Sequence, residues 1–257
     1  MESMKCDRME VSILESNESL GAVAADDLAE IIRSTIAERE EASIIVATGN
    51  SQITFMKALR AEQDIAWDRV TVFHMDEYLG MSDQHPASFR RYIREQLTDT
   101  VHPRAFYAIR GDAEDIEAEL IRYASALEEH QPVACVLGIG ENGHLAFNDP
   151  PADFDTSSVM HTVTLDAVAR RQQVREGHFA TLDDVPRRAL SLTVPALLKP
   201  PHVLAVVPEL RKASAVKAAL EGSVSPNCPA SILRTLPHVK LYLDRESASL
   251  LDGHRQE

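Results

Sequence analysis

Short runs of β-branched and aliphatic residues recur along the chain: Ser43–Ala47 (SIIVA), Val70–His74 (VTVFH), Ala134–Leu137 (ACVL), His202–Val207 (HVLAVV) and Val239–Leu243 (VKLYL). Several are apolar at consecutive positions, so each offers an oily side chain to both faces of a sheet. Between them, apolar positions recur at helical spacing: Val23, Leu28, Ile31, Ile32 and Ile36; Phe89, Ile93 and Leu97; Ile116, Leu120, Tyr123 and Leu127. Two-faced strands alternating with amphipathic helices predict an α/β fold, a mostly parallel sheet with helices on both faces in a three-layer sandwich. Val159–Leu165 and Leu190–Val194 read as further strands, open to antiparallel pairing. The first strand is expected about ten residues in. Prolines near 150, 186, 195, 200 and 226 read as turns and helix starts. No internal repeat, low-complexity tract or Gly/Ser linker divides the chain, so residues 1–257 are expected to form a single domain.

In open parallel sheets, ligands gather beyond the carboxyl ends of the strands. Four polar segments occupy such places: Thr48-Gly49-Asn50-Ser51-Gln52, Met75-Asp76-Glu77-Tyr78, the stretch from Gly138, and Pro208-Glu209-Leu210-Arg211-Lys212. The first has the makings of an anion-binding turn: a glycine for close approach, hydroxyls from Thr48 and Ser51, and a helix starting near Ser51 or Gln52. Ordinary N-capping by Asn50 or Ser51 accounts for the same residues equally well. No Gly-Lys-Ser/Thr follows, so this is not a Walker A loop. Lys212 would neutralise a phosphate as a point charge, or serve as a solvated surface lysine. Asp76 and Glu77 are adjacent acids at a strand end; successive side chains of an extended chain point to opposite sides, so only one of them is expected to face a cleft. His74 with Asp76 makes a poor metal pair, because no third ligand stands close by.

The stretch VLGIGENGHLAFNDPP places Gly138, Gly140 and Gly143 in a formal G-x-G-x-x-G after a strand. A dinucleotide fingerprint requires a helix opening among the glycines, and Pro150-Pro151 would stop that helix before its second turn. Asp166 could imitate the acid expected further along. The competing reading is a loop whose glycines turn the backbone and bring His144 into a cleft beside Asn142 and Asp149, where an imidazole can move protons near neutral pH. A packed structural loop would use the same residues.

Charge narrows the partners. A formal net charge of −14 and a pI near 5.1 oppose loose attraction to nucleic acid or an anionic membrane, so an anionic substrate would need cations placed locally. At 44% hydrophobic and 26% charged residues the composition is that of a folded domain. No apolar stretch resembles a signal peptide or a membrane span, and the expected location is cytoplasmic. Cys6, Cys135 and Cys228 form no C-x-x-C and are expected as reduced thiols rather than a disulfide framework or zinc cage.

Taken together, FHMDEYLG, HPASFRRYI, LGIGENGHLAFNDP, RRQQVREGHF, VPRRALSLTVPALL and RKASAVKAALEGSVSPNCPASIL resemble the glucosamine-6-phosphate deaminase (isomerase) family over roughly Val11 to Leu251. The resemblance implies a Rossmann-like sandwich shared with 6-phosphogluconolactonase, and conversion of glucosamine 6-phosphate and water to fructose 6-phosphate and ammonium without metal or organic cofactor. It implies that Asp76 moves a proton between C2 and C1, and that His144 assists ring opening with support from Asn142 and Asp149. Some members of the family have Asp at the position of Asn142, and many have Glu at that of Asp149. The resemblance assigns substrate contacts to Thr48, Gly49, Asn50, Ser51, Glu77, Gly140, Gly143 and Lys212. A middle-region arginine, Arg175 or alternatively Arg171, completes the phosphate site. It leaves room for a homo-oligomer. The same scaffold supports two alternatives: a lactonase or other sugar-phosphate isomerase, and a non-catalytic sugar-phosphate sensor. Sensors carry an N-terminal DNA-binding module, for which about ten residues before the first expected strand leave no space.

Overall fold

The two-faced apolar strands lie side by side through the middle of the molecule, in a computed structural model that describes residues 2–165, 167–175, 177 and 179–252. Across the sheet come β1 (Glu2–Cys6), β2 (Met9–Leu14), β11 (Val239–Asp244), β10 (His202–Val207), β7 (Ala134–Leu137), β3 (Ala42–Val46), β4 (Val70–His74) and β6 (Ala105–Tyr107). Every neighbouring pair is parallel except β1 with β2.

Alternation along each strand divides the interior into two cores. Ile44 and Val46 of β3 join Val72 and Val136 against α1 (Asn17–Arg39) and α2 (Ile53–Ala61), which bury Leu20, Leu28, Ile32, Phe55 and Leu59 there. Ile45 joins Phe73, Cys135 and Leu137 on the other face, under α5 (Ile116–His130), α7 (Val194–Leu198) and α8 (Ala213–Glu221). Burial on both faces is why these strands read as continuous apolar runs.

A second, antiparallel sheet stands at the carboxyl end of the first. One residue after β4, the chain turns into β5 (Asp76–Tyr78), which pairs with β9 (Arg188–Leu192), and β9 with β8 (Met160–Thr164). Tyr78, Phe147, Phe179, Val185 and Ala189 form a third, smaller core beneath it. The run Val159–Leu165 thus spans β8; of the run Leu190–Val194, Leu190–Leu192 lie on β9 while Val194 opens α7.

The helical spacing of Phe89, Ile93 and Leu97 is interrupted: α3 (Phe89–Ile93) passes through a π turn at Arg94–Thr98 into the short α4 (Asp99–Val101). β6 lies between α4 and α5. A further helix, α6 (Ala167–Arg175), follows β8. β1 precedes the first expected strand; its residues are mostly exposed and carry no apolar signal. Asp166 and His178 lie outside the described residues. Among the described residues, no helix is long and apolar enough to cross a membrane.

The end of β4 is fixed by polar contacts, because it sets where Asp76 stands. Tyr123 of α5, fully buried, donates its hydroxyl to the carbonyl of His74 (2.6 Å) and accepts the His74 N–H (3.0 Å). The imidazole of His74 accepts the Ile109 N–H at 2.7 Å, and burial together with the Arg90 charge pushes its pKa down to about 3. His74 is therefore a neutral structural residue. Replacing Tyr123 with Phe leaves two backbone groups of His74 without that partner. The expected loss is about 1–3 kcal/mol, read from the urea midpoint; an unchanged midpoint would show that the strand end is held by other means.

Candidate active site

β3 and β7 are adjacent, yet the chain proceeds from them in opposite directions, through β4 and β6 on one side and β10 and β11 on the other. The loops leaving β3 and β7 therefore part and leave a crevice, the place where α/β sheets hold ligands. A cleft of about 670 Å³, open to solvent, lies there. All four polar post-strand segments reach it, through Thr48–Ser51, Asp76, Gly138–Gly140 with His144, and Arg211–Lys212.

Asp76 and Glu77 separate as the extended geometry requires. Asp76 lines the cleft, is 6% exposed, and its Oδ1 has no hydrogen-bond partner among the described residues. Burial, followed by the charge of Glu77, raises its pKa to about 8. Glu77 turns the other way and is fully buried. Its carboxylate accepts the N–H groups of Tyr78 (2.9 Å), Phe89 (3.2 Å) and Arg90 (3.0 Å) and the hydroxyl of Ser88 (2.8 Å), with Arg90 Nε at 3.5 Å. Burial still pushes its pKa up, against those donors. The expected substrate role of Glu77 is corrected accordingly: its oxygens are engaged in anchoring the start of α3.

The glycine stretch contains no helix, so it offers no row of amides to a pyrophosphate. It folds instead into a tight loop in which Gly140 donates its N–H to the carbonyl of His144 (2.9 Å). A Cβ on Gly140 would lie 2.1–2.3 Å from three atoms of the His144 ring, so only glycine lets the imidazole rest there. Gly143 shapes the turn and does not line the cleft.

Behind the ring, Asn142 Oδ1 lies 2.7 Å from His144 Nδ1, and Asn142 Nδ2 donates to Asp149 Oδ1 at 3.0 Å. A carboxylate can only accept, so it fixes which way the amide points, and the amide oxygen in turn puts the proton on Nδ1. In the neutral ring, Nε2 keeps its lone pair. Asp149 Oδ1 is itself 3.4 Å from Nδ1. Burial alone would raise the pKa of Asp149, but the hydrogen bond and charge of His144 and the Asn142 amide outweigh it, and the net direction is down. Neither Asn142 nor Asp149 lines the cleft; both act on it through His144.

On the wall of the same cleft, Thr48, Gly49, Asn50 and Ser51 form a turn leading into a 3-10 turn (Asn50–Gln52) and α2, with the Gly49 carbonyl accepting the Tyr92 hydroxyl at 2.9 Å. Lys212, 5% exposed, faces the same space. Arg175 does not. Its side chain is 64% exposed and pairs with Glu141, while Arg171 is also exposed. The helical rotation that turns these arginines outward presents Gln173 to the cleft, where its Oε1 accepts the Tyr78 hydroxyl (2.6 Å). Arg211 also lines the cleft. Sequence reasoning missed both. Arg211 stood next to Lys212 in a segment already singled out, whereas Gln173 carries no signal short of the fold.

A desolvated carboxyl group, an imidazole with an available lone pair, and the cations Arg211 and Lys212 thus share one cleft. That set can take a proton from a weak carbon acid, shuttle protons between oxygens, and hold an anionic tail.

Residues 15–241 match the family model described as glucosamine-6-phosphate isomerases/6-phosphogluconolactonase. A glucosamine-6-phosphate deaminase of Listeria monocytogenes serotype 4a (strain HCC23) is 36% identical over 222 residues, 86% of this chain and 93% of that one. Glucosamine-6-phosphate deaminase 1 of Bacillus subtilis (strain 168) is 32% identical over 94% of this chain and 99% of its own length. Among solved structures, a monomeric glucosamine-6-phosphate deaminase superposes with a TM-score of 0.86 at 30% identity, covering 96% of this chain and all of that one. A 6-phosphogluconolactonase from Shewanella baltica OS155 shares the fold, with a TM-score of 0.73 at 18% identity over 94% of this chain and all of that one.

The raised pKa of Asp76 makes a prediction about stability. The folded protein keeps this proton up to about pH 8, while the unfolded chain releases it near 3.8. The folded state then binds more protons across that window, so the contribution of Asp76 to stability falls as pH rises through it. Asp76→Asn removes the loss. Its Tm relative to wild type is expected to climb between pH 5 and pH 9; a difference that stays flat with pH would mean that Asp76 ionises as an ordinary carboxylate.

Proposed function

The chain belongs to the family of glucosamine-6-phosphate isomerases and 6-phosphogluconolactonases, and from that premise we infer that it acts as a glucosamine-6-phosphate deaminase, converting glucosamine 6-phosphate and water to fructose 6-phosphate and ammonium. The observation that carries the mechanism is Asp76, a buried carboxylate whose Oδ1 has no hydrogen-bond partner among the described residues, in the same cleft as His144.

The phosphate is held by the Thr48–Ser51 turn and Lys212, which leaves the sugar ring toward Asp76 and His144. Ring opening requires the proton on O1 to leave and O5 to gain one. His144 Nε2 takes the first and supplies the second, and Asp149 stabilises the imidazolium in between. In the open aldehyde, C2 is a weak carbon acid. Asp76 removes its proton while O1 takes one from the substrate's C2 ammonium, giving an enolamine; Asp76 then returns its proton to C1, forming the iminium of the ketose. Water adds at C2 and the nitrogen leaves as ammonium. Each step is a proton transfer, an addition or an elimination, so the sequence calls for neither redox cofactor nor Lewis acid.

A carboxylate that abstracts from carbon gains basicity when it is poorly solvated, which is the state in which Asp76 is held. The same environment sets a cost: in the free protein the carboxyl must first ionise. The rise of kcat/KM with pH is therefore expected to extend to about pH 8, through the pKa of Asp76.

Purified protein given glucosamine 6-phosphate is expected to release ammonium and fructose 6-phosphate in equal amounts. Asp76→Asn should lower kcat by about 10²–10⁴-fold while substrate still binds. A variant that turns over like wild type would remove Asp76 from the mechanism, and a protein that yields neither product would direct the search to a different sugar phosphate.

A further inference from the structure

The turns after β3 and β10 are built alike. Gly49 (φ +106°, ψ +165°) opens the first and Glu209 (φ +83°, ψ +140°) the second, and each leads through a three-residue 3-10 turn into a nine-residue helix, α2 or α8. Both turns line the cleft, through Thr48–Ser51 and through Arg211 and Lys212. Backbone of this kind lies at the edge of a region that almost only glycine occupies, because a Cβ crowds the flanking peptide groups. The first turn uses glycine. The second places a glutamate there, so surrounding contacts must hold it.

Those contacts converge on one guanidinium. The Glu209 N–H reaches both carboxylate oxygens of Asp244, at 3.0 and 3.2 Å, which fixes the backbone. The Glu209 carboxylate accepts from Arg211 Nε. Glu141, two residues before Gly143 in the glycine loop, lies 3.6 Å from Arg211 Nη1 and also pairs with Arg175. Arg211 is thereby held beside Lys212 on the cleft wall, whereas Arg175 is held outside it. A planar guanidinium offers phosphate two parallel hydrogen bonds, which an ammonium cannot do.

We propose that Arg211 is a second cation for the substrate's phosphate, and that Glu209 is its positioning residue, kept in a strained backbone because its carboxylate aims that guanidinium. The proposal rests on reading the cleft as a sugar-phosphate site. It separates two effects that normally go together: Glu209→Gly should stabilise the fold by relieving the strain and weaken anion binding by releasing Arg211. A merely structural Glu209 would move stability alone.

The test uses titration calorimetry with inorganic phosphate as probe, alongside steady-state kinetics with glucosamine 6-phosphate. Arg211→Gln is expected to raise the phosphate Kd and the substrate KM by about tenfold to a hundredfold, with kcat little changed. Arg211→Lys, which keeps the charge without the fork, should fall between. Glu209→Gly should raise Tm by about 2–4 °C and raise both Kd and KM, and should add nothing further to Arg211→Gln in the double variant. Arg104→Gln, which removes one positive charge beside Glu41 at the opposite end of β3, should leave phosphate affinity as it is. The proposal is overturned if wild type does not bind inorganic phosphate, if Arg211→Gln binds it as wild type does, or if Glu209→Gly gains Tm with affinity unchanged. Arg211-dependent phosphate binding without ammonium release would support the anion assignment and remove the deaminase reading instead.

Discussion

The cleft depends on keeping one carboxylate out of water and out of reach of partners. Four donors within hydrogen-bond distance surround Glu77, whereas Oδ1 of its neighbour Asp76 has no partner among the described residues. The difference comes from the backbone. β5 departs from β4 after one residue, and the two acids fall on opposite sides of an extended strand, one toward the start of α3 and one toward the open end of the sheet. Burial then acts on both, but Asp76 alone borders the cleft. The proximity of Glu77 adds to the effect, since a second carboxylate nearby makes ionisation of Asp76 harder still. A desolvated carboxyl is tolerated here because the rest of the fold over-determines its position: the Tyr123 hydroxyl, the β5–β9 pairing, the Ser88 hydroxyl and the Phe89 and Arg90 amides all constrain these few residues.

The second requirement is a positive region inside an acidic protein. A chain of net charge −14 repels phosphates at long range, so attraction has to be local. Lys212 puts a positive charge on the cleft wall from a nearly buried position, where a charge is screened less than at the surface. The carboxylates of Glu141 and Glu209 beside Arg211 fit the same logic. They neutralise part of the local charge and keep a flexible side chain near one geometry, which lowers the entropy that any further contact of Arg211 would cost.

Much of this was legible in the sequence, for reasons that differ from element to element. The central strands were readable because burial on both faces leaves little choice but β-branched and aliphatic residues. The post-strand segments were readable because topology dictates where ligands bind, whatever the ligand. The opposite facing of Asp76 and Glu77 followed from strand geometry; that Asp76 is the one at the cleft came only from the family resemblance, since geometry leaves it to where α3 begins. β1 and β6 were hidden, one mostly exposed and the other three residues long. Arg175 and Gln173 show the limit most clearly. They are two positions apart on one helix, so they project in directions about 200° apart, and a motif that names the segment cannot say which side chain enters.

The support of His144 follows a similar logic of exchange. A carboxylate directly on Nδ1 would both fix the tautomer and stabilise the imidazolium with a full charge. Here Asn142 takes the hydrogen-bonding position at 2.7 Å, and an amide oxygen fixes the tautomer but carries little charge. Asp149 supplies the charge from 3.4 Å and orients the amide at the same time. Its shorter side chain is sufficient because Asn142 spans the distance that a longer acid would have covered. The two residues divide what one carboxylate would do alone, and the arrangement binds them together: without Asp149 the amide loses the partner that sets its orientation, and without Asn142 the carboxylate is left short of the ring. The glycine at position 140 completes this geometry from the opposite side, since the ring can lie flat against the loop only where no side chain intervenes. Tautomer, charge and ring position are therefore set by three different residues within ten positions of one another, so the whole loop, rather than the histidine alone, is the unit that presents the imidazole to the cleft.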